Sequence, residues 1–488
     1  MSPGMLIFIA ALGIALLLVL VIQFRLQAFL ALIIASLFVA IAGGIPLNEV
    51  AQTIQEGMGN TLGFIAIVVG IGTMLGEMLR VSGGAEQLAQ TLVGRFGEKR
   101  APWALGLTGL IVSIPVFFDV GLIILIPLVY SLAQRTGRSL LFYAMPLAAG
   151  LAVGHSFIPP TPGPVAVAAL LGADLGWVIL FGIIAGLPAM ILGGIMFGGY
   201  ISDQIHAKVP EYMMIENYGV SAVGNDGDDA IAEPNRAMQQ PPLHAAQGGV
   251  AQKEALITDH PRATGLPNFG LVVALIAIPL VLILLNTASG VLFPEGSGIR
   301  TILGFLGHPF TALLIATLLG FYFLGIQRGY SRREIQEIAT KSLEPVGLII
   351  LVTGAGGVFG RTLVATGVGE ALANAMARFN LPVIVLAFLI AVAVRVSQGS
   401  ATVSMVTAAG LVAPVVQAGT YSAPAIALIT IAIASGATVI SHVNDSGFWL
   451  VSRYLGLSEK NTLRSWTVLE TILGVVGFLI VLIISFFV

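Results

Sequence analysis

Asp119, His155, His442 and Asp445 are titratable side chains set in stretches that otherwise carry almost no charge: PVFFDVG (115–121), GLAVGHSFIPPTPGP (150–164) and ISHVNDSGFW (440–449). Histidine exchanges a proton near neutrality, and a carboxyl withdrawn from water can do so as well. These four are therefore candidates for proton coupling. Plainer roles stand beside that one: Asp119 could anchor a turn by accepting backbone amides, and each histidine could simply satisfy a freed carbonyl. Ser156 and Thr161 lie close to the first histidine, Asn444 and Ser446 flank Asp445, and RVSQGSATV (395–403) brings Gln398, Ser400 and Thr402. Such hydroxyls and amides suit the hydroxyls or carboxylate of a small ligand. Arg395 could balance a substrate carboxylate, pair with an acid, or snorkel to the interface. Glu77 and His308 (in LGHPF) read as structural. The expected chemistry is recognition of a small anion with exchange of a proton.

Bond-making chemistry is not expected. Ser156 with His155 or His442 and an acid would be needed for an intramembrane hydrolase, and no nucleophile-elbow motif surrounds it. The chain has no cysteine, which excludes disulfides, thiolate metal sites and cysteine nucleophiles. GAGGVFG (354–360) mimics a dinucleotide fingerprint without the strand–helix unit that gives the motif meaning; close packing through small residues accounts for it better. NDS at 444–446 matches a glycosylation sequon at a depth where modification is not expected. No catalytic residue, metal site or cofactor is anticipated, and the lack of a Walker motif disfavours ATP-driven pumping. A net charge of −2 with no basic block gives no sign of nucleic acid.

The elements that must hold these residues are membrane helices. Of 488 residues 57% are hydrophobic and only 9% charged, with mean hydropathy +0.98; a soluble chain carries about a quarter charged residues. Apolar runs at 4–22, 27–46, 175–199, 267–286 and 467–487 reach the roughly 20 residues needed to cross hydrocarbon. The first lacks a basic flank and a cleavage site, so it reads as a retained span. Residues 201–266 break the pattern, with nine acidic against four basic residues, and are expected to form a polar flexible linker on the cytoplasmic side.

The halves on either side look duplicated. At a spacing of 284, Gly76, Leu79, Gly83 and Glu86 meet Gly360, Leu363, Gly367 and Glu370; at 287, His155 meets His442. Positive loops mark the cytoplasm: Arg25; Arg80 to Arg100; Arg135 and Arg138; Arg328 to Lys341; Arg453 to Arg464. The short pieces 102–134 and 380–417 must then dip in and return as re-entrant hairpins, the first with FFDVG at its tip. The reading is an all-α polytopic membrane protein of two inverted repeats, 1–200 and 267–488. Each has about five spans, one hairpin, and a broken helix at the midplane (139–172 and 421–450). Pro159, Pro160, Pro162 and Pro164 cannot continue a helical ladder. Backbone freed at that depth is tolerated where it is buried or faces a wet cavity, which is how secondary transporters build their sites.

PVFFDVG, GHSFIPPTPGP, VTGAGGVFGRTLVATGVG, RVSQGSATV and HVNDSGFW with the following SWTVLETI resemble the gluconate permease family of the ion-transporter superfamily, over roughly 60–200 and 340–485. The resemblance implies a multi-pass protein of the bacterial cytoplasmic (inner) membrane. It also implies proton-coupled uptake of gluconate or a similar small hydroxy- or amino-acid anion, an elevator-like transport domain, and a homodimer. The expected partners are thus a small carboxylate, a proton and membrane lipid. Sodium-coupled carboxylate transport, D-serine or glycerate symport with protons, and a passive channel remain as alternatives.

Overall fold

The computed structural model describes residues 1–210, 265–368, 371 and 382–488. Most of the expected linker, 211–264, lies outside the described residues. Among those described, all regular structure is helical. Ten helices are long and apolar enough to cross a membrane, from Pro3–Val21 to Glu459–Ile484.

The first half runs α1 (Pro3–Ile22), α2 (Ala28–Ala42), α3 (Leu47–Val81), α4 (Gly84–Phe96), α5 (Ala101–Val112), α6 (Phe118–Thr136), α7 (Leu141–Phe157) and α8 (Pro162–Leu171). It closes with α9, Leu175–Met190, which continues through a π-helical stretch to Gln204. The second half runs α10 (Phe269–Leu292), α11 (Gly298–Leu306), α12 (Pro309–Gly320), α13 (Arg332–Lys341), α14 (Glu344–Ala365), α15 (Val383–Gln398), α16 (Ala401–Ala418), α17 (Ala423–Gly436) and α18 (Ser446–Tyr454). Its last helix, α19, starts at Glu459, passes through π-helical Leu463–Thr467 and ends at Ile484.

Local chemistry explains the ends. Ser2 accepts from the Met5 amide and Pro3 opens the first turn of α1, where a missing N–H costs nothing. His308 caps α12 by accepting from the Phe310 amide, and Glu77 bonds Arg80 one turn away. Ile158 turns extended (φ −118°, ψ 115°) and ends α7, as expected of a residue before proline. Thr161 and Pro162 then restart the chain as α8. The second break, 437–445, contains no proline. It is held from outside: Thr471 Oγ1 accepts from the Ile440 amide at 3.2 Å, and the Thr467 hydroxyl donates to the Ser441 carbonyl. Ile440 takes φ +52° there, a left-handed conformation that a β-branched residue adopts only under constraint.

One expected position shifts. The turn between α5 and α6 is formed by residues 113–117, not by FFDVG, and Asp119 is the second residue of α6. Pro115 causes this, since it can neither donate to a helix nor leave its predecessor helical.

The two halves are interleaved. α3 packs along α14, α8 along α16, and α9 along both α17 and α19, while α5 nests against α7 and α15 against α17. The GAGGVFG glycines lie in these seams: a Cβ on Gly357 would stand 2.0 Å from Thr61 Oγ1 of α3. The motif is a packing surface.

Candidate functional site

Three helices begin at one cavity of about 230 Å³. α5 ends at Val112, the chain turns through Pro115, and α6 starts with Phe118 and Asp119 on the cavity wall. Gly399 ends α15 at φ +82°, and Ser400 caps α16 by accepting from the Val403 amide. Asp445 caps α18, its Oδ1 accepting from the Gly447 amide at 3.1 Å. Helix N-termini present unpaired amides and a partial positive charge, so their convergence favours an anion. His155 and Ser156 reach the cavity from the end of α7, and Trp466 and Glu470 from α19. Leu348, Ile349 and Val352 of α14 give it an apolar side.

Gly399 is required where it stands. Besides its positive φ, a Cβ there would lie 2.1 Å from the Asn444 carbonyl oxygen, so the tip between α15 and α16 touches the second break directly. At the other tip, a Cβ on Gly76 would lie 1.8 Å from the Pro115 carbonyl oxygen.

The charged heart of the site is buried. Arg395, 2% exposed, donates from Nη2 to Asp445 Oδ2 at 2.5 Å. The Ser441 hydroxyl donates to the same oxygen, and Trp466 Nε1 donates to Ser441 Oγ at 2.7 Å. A buried ion pair of this kind stands only when further hydrogen bonds satisfy it; Asp445 has them. Among the described residues, Arg395 Nε and Nη1, Glu470 Oε1 and His155 Nδ1 are buried without a partner. Asp119 is open to the cavity. The Phe118 and Trp466 rings meet at 5.2 Å and the Phe117 and His155 rings at 5.9 Å, tying the first tip to α19 and α7.

Eight of the residues singled out from sequence line the cavity: Asp119, His155, Ser156, Arg395, Ser400, Thr402, Asp445 and Ser446. Four do not. His442 Nε2 lies 3.2 Å from the Val396 carbonyl and Asn444 Nδ2 donates to that carbonyl at 2.8 Å, so both serve backbone freed near the tip. The Thr161 hydroxyl donates to the Ile158 carbonyl at 2.6 Å and faces a small void beside Pro160 and Pro162. The Gln398 amide atoms are buried outside the cavity lining, without partners among the described residues. Sequence reasoning missed Glu470, Trp466 and Ser441. Glu470 had a readable signal, being the one charge in the apolar run 467–487, where an ionisable residue is functional by default. Ser441 and Trp466 carried none, since their roles depend on a contact between distant segments.

The sequence profile described as "GntP family permease" matches residues 5–222 and 238–487. The chain is 40% identical over 477 residues to the low-affinity gluconate transporter of Escherichia coli (strain K12), covering 98% of this chain and 97% of that one. It is 36% identical to the gluconate permease of Pseudomonas aeruginosa, with 96% and 95% covered. Among solved structures, the YdaH transporter of Alcanivorax borkumensis superimposes with a TM-score of 0.57 at 14% identity, over 91% of this chain and 90% of that one. That likeness concerns the fold.

Proposed function

Because this chain belongs to the GntP family of permeases, and is thus a multi-pass transporter of the bacterial inner membrane rather than an enzyme, we propose that it carries gluconate or a closely related small hydroxy-carboxylate inward together with a proton. Relatives named for gluconate at 36–40% identity over nearly the whole length support the substrate. The cavity suits it: about 230 Å³ is smaller than the roughly 300–1,000 Å³ of drug-sized sites. Three helix N-termini and Arg395 would take the carboxylate. The hydroxyls of Ser156, Ser400, Thr402 and Ser446 would take the sugar-acid hydroxyls.

One observation carries the coupling. Three carboxyls, Asp119, Asp445 and Glu470, share the cavity with one guanidinium. An anion entering such a site adds negative charge to an acidic excess in a poorly screened place. Positive charge must accompany it, and a proton on a carboxyl supplies that charge without a further binding site. In this reading the halves are inverted repeats meeting at mid-bilayer. The helix pairs α5–α6 and α15–α16 are re-entrant: twelve-residue α5 rises only about 18 Å at 1.5 Å per residue, short of the roughly 30 Å hydrocarbon core. The tips and breaks move as an elevator-like unit within a homodimer.

The test is uptake by proteoliposomes. With membrane potential clamped, gluconate is expected to accumulate when the outside is made acid, and to stop accumulating when the pH gradient is collapsed. Undiminished accumulation after collapse rejects proton coupling, and dependence on sodium over choline transfers the coupling to sodium.

A further inference from the structure

The buried cluster leaves one carboxyl and part of one guanidinium unaccounted for. Asp445 already accepts three hydrogen bonds, from Arg395 Nη2, the Ser441 hydroxyl and the Gly447 amide. Glu470 is 4% exposed, lines the same cavity, and offers an Oε1 that meets no donor among the described residues. Arg395 spends only Nη2 on Asp445, while its Nε and Nη1 groups are buried and find no partner among the described residues. Buried charge without partners is costly, and an isolated ionisable group inside a membrane helix marks an ion or proton path. Glu470 sits four residues, about one helical turn, beyond Trp466, next to a π-helical stretch; such stretches recur at functional sites.

We propose that Glu470 carries the transported proton, and that it competes with the substrate carboxylate for the free N–H groups of Arg395. This inference rests on the symport reading above and names the group that does the coupling. With Asp445 and Glu470 both ionised, Arg395 already faces two negative charges, and an incoming anion would be a third. With Glu470 protonated, the anion is only the second. Proton and anion therefore favour each other's binding, and the coupling is reciprocal. The proton joins a Glu470 carboxylate oxygen when the cavity opens outward and leaves the same oxygen when it opens inward; no other bond forms or breaks.

The groups facing Glu470 are few. Arg395 of α15 and Asp445 at the head of α18 are the charges that act on it, and Asp119 of α6 and His155 of α7 look across the cavity. α9 and α17, which pack along α19, contribute no charged residue along Leu175–Met190 or Ala423–Gly436. On α19 itself, Glu459, Lys460 and Arg464 lie nearer its start. Asp119 pairs with no cation among the described residues.

Calorimetric titration of gluconate into the purified full-length protein, in buffers of different ionisation heat, counts protons taken up per anion bound. About one is expected for the wild type and about none for Glu470→Gln. In proteoliposomes, a one-unit pH gradient that sustains about tenfold accumulation by the wild type is expected to sustain none in Glu470→Gln, while measurable gluconate exchange persists. Should Glu470→Gln fail to fold, Glu470→Asp retains a titrating group; its accumulation is expected at a shifted pH midpoint, and a profile identical to wild type overturns the proposal. Wild-type accumulation indifferent to the pH gradient overturns the symport reading together with this inference. Gradient-driven accumulation by Glu470→Gln equal to the wild type overturns only the assignment to Glu470.

Discussion

Arg395 and Asp445 stand fifty positions apart and meet in a buried pair that organises everything around it. The sequence showed both as charges in apolar surroundings, and pairing with an acid was one open reading for the arginine. It did not show which acid, because helix spacing reports neighbours on one element and is silent across elements. The same blindness hid the Trp466–Ser441–Asp445 chain, whereas Glu470 was overlooked despite being readable. The planar fork of Arg395 matters as much as its charge. Nη2 is bound to Asp445, and in the proposed site Nε and Nη1 would remain for a carboxylate, a division that a lysine ammonium cannot reproduce. Arg395→Lys is accordingly expected to fold but to bind gluconate at least about tenfold more weakly, a loss of about 1.4 kcal/mol or more. Titration calorimetry of the purified variant checks this, and an affinity equal to wild type would remove Arg395 from the binding site.

The elements that deliver these residues are interrupted helices, and their legibility depended on what interrupts them. The proline-rich break between α7 and α8 was plain from its four prolines. The second break has none, and its polar string SHVND was recognisable only by alignment with the first. Its shape comes from tertiary restraint: Thr467 and Thr471 of α19 hold Ser441 and Ile440 in place. The first tip was expected too late in the chain because Asp119 drew attention away from Pro115. Tip and break form one unit at Gly399, where backbone meets backbone. Gly399→Ala is expected to force them apart, combining about 1–2 kcal/mol of left-handed strain with the clash against Asn444. The expected outcome is a lowered melting temperature and gluconate affinity reduced by about tenfold or more; a variant that melts and binds like wild type would show that the tip can relax.

At the scale of the whole chain, hydropathy revealed an all-helical membrane protein, and ten helices long and apolar enough to span are present among the described residues. What hydropathy left out is the partner of each helix, since lipid-facing and protein-facing apolar residues read alike. The halves do not sit side by side as two lobes. α8 of the first lies on α16 of the second, with a Cβ on Gly163 falling 2.7 Å from Met405 Sδ, and Asp174 at the head of α9 accepts from Thr287 of α10 at 2.6 Å. A cysteine-free background lets Gly163→Cys with Met405→Cys be joined unambiguously, and uptake in proteoliposomes is expected to survive oxidation. Abolished uptake would mean that these two helices slide past one another. The exchange of partners bears on the proposed motion: opening like a book along the line between the halves would break these packed seams. In the transport cycle proposed above, the sliding part would be a shuttle assembled from pieces of both halves, on a rail that is mixed as well.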